Sequence, residues 1–128
     1  MISELTNKQE PKRVLVVDDS DLVVRLMRTF LSAEGYIVGS ALDGLAGLEE
    51  FRKGSWDIVF TDREMPQMTG DRLALEIKNT DPHIPVVLVT GSGVTEVQGE
   101  VFDAIIEKPF TKAEVMACID ELLDKRNS

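Results

Sequence analysis

The sequence predicts an α/β domain, a doubly wound five-stranded parallel sheet with helices on both faces. Three observations carry that expectation. Five short runs rich in β-branched residues recur along the chain; several lack the alternation of a half-exposed strand; and stretches of helical periodicity separate them. Strand followed by helix, five times over, is the order that right-handed crossovers fold into a parallel sheet.

Each element has its own signal. RVLVV (13 to 17), YIVGSA (36 to 41), DIVFT (57 to 61), PVVLVT (85 to 90) and AIIEK (104 to 108) supply the strands. After the first of them, Asp21 to Glu34 places Leu22, Leu26 and Phe30, with Val23 and Met27, on one broad apolar stripe. Leu45, Leu48 and Phe51 mark the next helix; Leu73, Leu75 and Ile77 another; and Val115, Ile119, Leu122 and Leu123 the last. Gly35, Gly54 and Pro82 end three of these helices. Residues 1 to 11 read as a polar, flexible lead-in, 12 to 124 as the domain, and 125 to 128 as a tail.

Composition narrows the function. At 128 residues the chain holds one domain with a sizeable core. Its 14 basic against 23 acidic residues, a formal charge of −9, argue against direct nucleic-acid binding, which needs a surplus of Lys and Arg. The single cysteine, Cys118, permits neither an internal disulfide nor a Cys-based metal cage. The opening MISELTNKQEPK lacks the apolar core of a signal peptide, so the expected compartment is the cytoplasm. No apolar run is long enough to insert in a membrane. His83 reads as a loop residue between two prolines, and GSG at 91 to 93 fails both as a dinucleotide fingerprint and as a P-loop.

The chemistry gathers at the strand ends. Asp18 and Asp19 end the first strand, Asp62 the third, Thr90 the fourth and Lys108 the fifth. In an open parallel sheet these ends share one edge, where ligands bind at the reversal of strand order. A buried apolar run that ends in two adjacent carboxylates with no turn residue needs compensation, because like charges repel and resist desolvation. Mg²⁺ suits the task, since it takes oxygen ligands from one or two carboxylates and keeps waters. Lys108 supplies the other positive charge. Without a cation, at least one carboxylate should hold its proton more tightly.

Four motifs, VVDDS, TDREMPQMTG with its Pro66 and Gly70, LVTGSG and EKPF, stand in this order, each at an expected strand end. Together they resemble the receiver domain of two-component response regulators, over residues 12 to 124. The resemblance implies a flavodoxin-like sheet of strand order 2-1-3-4-5. It implies a signalling phosphoacceptor that catalyses only its own phosphorylation and dephosphorylation. Asp62 would take the phosphoryl group from the phosphohistidine of a histidine kinase or histidine phosphotransfer protein. Asp19 would bind Mg²⁺ directly and Asp18 mainly through water, with Asp62 and the backbone carbonyl of Glu64 completing the protein ligands. Thr90 would hydrogen-bond one phosphoryl oxygen and Lys108 would pair with another. Pro109 would follow Lys108 through the cis bond common in the family.

Two positions depart from the pattern. Ile105 stands where many receivers carry Tyr or Phe, three residues before Lys108. The stretch from Thr90 to Lys108 is shorter than in common members by about one helical turn, so the helix between the fourth and fifth strands is expected to be short. Residues 91 to 103 would then carry the switch to a protein target. With no effector domain after residue 124, the chain resembles a stand-alone receiver, or equally a receiver module of a hybrid kinase. Two rival readings remain. Asp19-x-Asp21-x-Val23 is similar to the nucleophile motif of haloacid-dehalogenase-type phosphatases, with Asp19 as nucleophile, although Asp21 should face away on the first helical turn. The other is a pseudo-receiver that binds partners without phosphorylation, against which stand the acid triad, Thr90 and Lys108.

Overall fold

A computed structural model describes residues 10–91 and 101–127. The elements run β1 (Arg13–Val17), α1 (Asp21–Ala33), β2 (Ile37–Ala41), α2 (Gly44–Lys53), β3 (Ile58–Thr61), α3 (Gly70–Thr80), β4 (Val86–Thr90), β5 (Ala104–Glu107) and α4 (Lys112–Asn127). All five strands are parallel, in the order β2-β1-β3-β4-β5. This is the doubly wound order, and each strand lies where its apolar run predicts. The short helix expected between β4 and β5 falls on residues 92–100, outside the described residues, as does most of the lead-in. The backbone of α4 stays helical to Asn127, past the expected boundary at 124. Among the described residues no helix is long and apolar enough to cross a membrane.

The sheet divides the core in two, because successive side chains of a strand point to opposite faces. Leu15, Val17, Val59, Val86 and Leu88 meet Leu48 and Phe51 of α2 and Leu73, Ala74 and Ile77 of α3. Val14, Val16, Ile58, Phe60, Val87 and Val89 meet Val24, Met27 and Leu31 of α1 and Val115, Ile119 and Leu123 of α4. The central strands are covered on both faces, which explains why they are apolar without alternation. At the entry to β3, Trp56 is buried, donates Nε1–H to the Glu50 carbonyl at 3.1 Å and lies under the Arg13 guanidinium at 5.2 Å.

Local chemistry sets the helix ends. Ser20, Asp43 and Thr69 are N-caps whose side chains accept from the backbone N–H groups of Val23, Ala46 and Arg72. Gly35, at φ +89, lets α1 close with paired bonds from Tyr36 N–H to Leu31 and from Gly35 N–H to Ser32. At the free edge of the sheet, Arg28 of α1 donates to the Val38 carbonyl at 2.9 Å and to Ser40 Oγ at 2.8 Å.

The helical stripes need correction. Leu22 is 68% exposed and Leu26 39%, and Leu45 and Leu75 are both 44% exposed. The faces that pack are rotated only in part from the apolar stripes: they keep Met27 in α1, Leu48 and Phe51 in α2, and Leu73 and Ile77 in α3, and add Val24 and Leu31, Gly44 and Gly47, and Gly70 and Ala74 respectively. Gly47 lets α2 sit close to Val17 of β1, while Gly44 and Gly70 let their helices start against the Met68 and Asp62 carbonyls, and a search for large apolar residues passes over them.

This rotation gives a direct contrast within α3. Leu73→Ala should destabilise the domain by about 2–5 kcal/mol, because it opens a cavity in a fully buried site. Leu75→Ala should change stability by less than about 0.5 kcal/mol. Urea unfolding midpoints of the two variants check the pair.

Candidate functional site

The sheet register assembles the polar residues. Asp62 donates its N–H to the Val17 carbonyl at 2.9 Å, so it leaves β3 level with Asp18, whose own N–H reaches Ala41 at 3.2 Å. On the other flank, Lys108 N–H bonds the Thr90 carbonyl at 2.9 Å. Asp18, Asp62, Thr90 and Lys108 therefore stand side by side along the C-terminal edge of the sheet. From β1 the chain runs outward to β2 and then returns to β3, so the reversal of strand order falls between the two strands that present Asp18 and Asp62.

Asp18, Asp19 and Asp62 each offer a carboxylate oxygen within 4.8 Å of the other two. Asp18 is buried, Asp62 partly buried and Asp19 exposed. The Lys108 ammonium lies 3.0 Å from Asp18 Oδ2 and 3.6 Å from Asp62 Oδ2. One oxygen of each of these two acids is already committed: Asp18 Oδ1 accepts from Ser20 N–H at 2.9 Å, and Asp62 Oδ1 from Arg63 N–H at 2.8 Å. Asp18 Oδ2 faces the ammonium at ion-pair distance but without hydrogen-bond geometry, so this buried oxygen keeps an open lone pair. An all-oxygen donor set with an unsatisfied buried member, and one ammonium against three carboxylates, fits a hard divalent cation such as Mg²⁺.

Burial raises the Asp62 carboxyl above its ordinary value of 3.8. The Arg63 N–H and the Lys108 charge oppose that rise, while Asp18 and Asp19 add to it. Thr90 is 3% exposed at the end of β4. Ile105 packs toward the α2 and α3 side of the sheet. The Lys108–Pro109 bond is cis.

The loop after Asp62 is tied down tightly. Gly70, the first residue of α3, donates its N–H to the Arg63 carbonyl at 2.7 Å. A Cβ at Gly70 would overlap the Asp62 carbonyl, so glycine is required for this approach. Within the loop, Met68 N–H bonds the Pro66 carbonyl at 2.8 Å across Gln67, which sits at φ 73. That is a γ-turn in a region rarely used by residues with side chains. The Glu64 side chain is exposed on the same loop.

Arg63 escaped the sequence reading. Its Nε meets Asp71 Oδ1 at 3.0 Å, and its guanidinium lies 5.9 Å from the Phe102 ring centroid. Adjacency to Asp62 was the only signal that pointed to it. Other candidates stay outside the site. Asp21 pairs with Arg25 at 2.9 Å and its side chain is 66% exposed, so it is turned away as the sequence suggests. His83 is an exposed loop residue. Cys118 packs against the α1 and α4 side of the core, and burial, with Glu121, pushes its thiol up to about 11.

The raised Asp62 value gives stability a pH dependence in metal-free protein. The native state holds this proton more tightly than the unfolded chain, so the contribution of Asp62 to stability falls as pH rises from 3.8 through the native value. In chelator, Asp62→Asn should therefore be more stable than the parent at neutral pH, and the gain should shrink below pH 3.8. Urea unfolding across a pH series checks the sign.

Comparison with known proteins places the chain in a family. The sequence matches the response regulator receiver domain over residues 14–120. It is 32% identical over 121 residues to the transcriptional regulatory protein GlrR of Escherichia coli, covering 91% of this chain and 27% of GlrR. The chain thus spans about a quarter of that relative's length. It is 33% identical over 116 residues to the chemotaxis protein CheY of Halobacterium salinarum, covering 88% of this chain and 97% of CheY. The response regulator TrrA of Thermotoga maritima, solved in complex with Mg(2+)-BeF, superposes with a TM-score of 0.81 at 31% identity, over 88% of this chain and 99% of TrrA. With the fold, the acidic strand ends and the family match in agreement, the chain belongs to the response regulator receiver domains of two-component systems.

Proposed function

We propose that residues 12 to 124 form a working phosphoacceptor, which takes a phosphoryl group from the phosphohistidine of a histidine kinase or histidine phosphotransfer protein onto Asp62 and switches protein contacts in the cytoplasm. The observation that carries this reading is the convergence of three carboxylate oxygens within 4.8 Å, with the Lys108 ammonium against two of those acids. The resemblance of VVDDS, TDREMPQMTG, LVTGSG and EKPF to the family's motifs supports it, as does the Mg(2+)-BeF complex of TrrA.

Asp62 Oδ1 is engaged by Arg63 N–H, which leaves Oδ2 as the nucleophile. An O–P bond forms as the P–N bond breaks, and the electron pair of the broken bond stays on the imidazole nitrogen. Burial favours the protonated, unreactive acid, and Lys108 opposes it by favouring the carboxylate. After transfer Lys108 pairs with one phosphoryl oxygen and the Thr90 hydroxyl donates to another. Asp19 would hold Mg²⁺ directly and Asp18 through water, with Asp62 and the Glu64 carbonyl completing the set, and the ion would supply neutralisation of charge on the phosphoryl oxygens. Glu64, exposed on the same loop, modulates how water reaches the acyl phosphate and so its lifetime.

Acetyl phosphate with Mg²⁺, followed by trapping and mapping of the acyl phosphate, tests the assignment. Label should appear on Asp62 and vanish in Asp62→Asn. Label on Asp19 would indicate the phosphatase reading, and no label a module that works without phosphorylation. Asp19→Asn should weaken Mg²⁺ binding at least about tenfold, measured by calorimetric titration, while metal-free stability stays equal or rises through relief of like charge.

A further inference from the structure

We propose that Arg63 is a positioning residue that couples the chemical state of Asp62 to the packing of Phe102. The inference rests on Asp62 being the phosphoacceptor, and supplies a route that does not use an aromatic at position 105.

Arg63 is attached to both ends of this route. Its backbone N–H bonds Asp62 Oδ1 at 2.8 Å, and its side chain, 18% exposed, is held between Asp71 of α3 and the face of Phe102. Phe102 is itself 4% exposed and shares a core with Val86 and Leu88 of β4 and Ile77 of α3. Its neighbour Asp103 is clamped by Val86 N–H at 2.8 Å and Lys78 Nζ at 2.7 Å. Whatever moves the Phe102 ring therefore acts on the turn that leads into β5.

The side chain has reason to occupy two placements. Nη2 of Arg63 is buried and lacks a hydrogen-bond partner among the described residues. An unpaired buried N–H forfeits the bond it would make in water, and its contact over an aromatic face returns only part of that loss. A placement in which Nη2 finds an acceptor would recover that loss. Phosphorylation acts on this choice twice. It draws Asp62 into new bonds with Lys108 and Thr90, which alters the acceptor of the Arg63 N–H. It also adds one to two negative charges beside a guanidinium whose present anionic partner is Asp71 alone among the described residues. Ile105, branched at Cβ and without a polar tip, has no comparable pair of placements.

The test uses beryllofluoride with Mg²⁺ as the phosphoryl mimic on the whole chain, read by NMR. Saturation should shift resonances of Lys108 and Thr90 and, in the parent, the ring of Phe102 and the amides of Val101 to Asp103. In Arg63→Ala the site resonances should still shift, while the Phe102 response falls below about half of the parent's. In Phe102→Leu, which keeps the core filled, the ligand-induced shift of Arg63 Nε should fall likewise. This reciprocal measurement stands whether or not Arg63→Ala folds. Site shifts with a silent Phe102 in the parent, or an undiminished Phe102 response in Arg63→Ala, would overturn the coupling and leave the phosphoacceptor reading intact. No shift at Lys108 or Thr90 on saturation would overturn both.

Discussion

The ion pair between Lys108 and the buried Asp18, with Asp62 as second neighbour, is the constraint on which the site depends. A carboxylate removed from water is costly, and one ammonium at 3.0 Å offsets that cost only where geometry is held closely. The sheet provides the holding. Lys108 is fixed by its backbone bond to Thr90, Asp62 by its bond to Val17, and Asp18 by its bond to Ala41. All four crossovers must therefore close correctly before the charges meet. The ammonium still leaves the acids undercompensated, and that deficit makes the edge receptive to a cation.

Two cores back this edge, and they act differently on it. The α1 and α4 side buries Val16, Phe60 and Val89, whose strands present Asp18, Asp62 and Thr90. The α2 and α3 side carries the loop from Asp62 to Gly70, the tight contact at Gly70 and the Arg63 stack on Phe102. The proposed coupling of the edge to Phe102 thus runs through the second of these faces. A turn with Gln67 at positive φ, bonded across by Met68 to Pro66, folds the loop after Asp62 back on itself.

Much of this was legible in the sequence, for physical reasons. Apolar runs without alternation mean strands covered on both faces, and a polar residue at the end of each marks the shared edge; VLVVDD, VFTD, VLVT and IIEK suffice to place the acids, Thr90 and Lys108. Helix faces were less legible. Leu22 and Leu75 look like core residues by size, whereas Gly44, Gly47 and Ala74 make the close contacts without any apolar signature. Arg63 was invisible because its meaning lies in a partner far away in the chain, Phe102, which no local period links to it. Side-chain placement of that kind depends on tertiary geometry alone.

Arg28 shows how the other margin of the domain is kept closed. In β2, Ile37 and Ala41 bond to β1, so the polar groups of Val38 and Ser40 point outward from the last strand. The Arg28 guanidinium spans that margin, engaging the Val38 carbonyl and Ser40 Oγ. An exposed strand margin is a template on which a foreign extended chain can zip up. Here such a chain would first have to displace a cation already bonded to the template, and then bury it or expel it. The domain thus carries on its first helix a guard against strand addition at this margin.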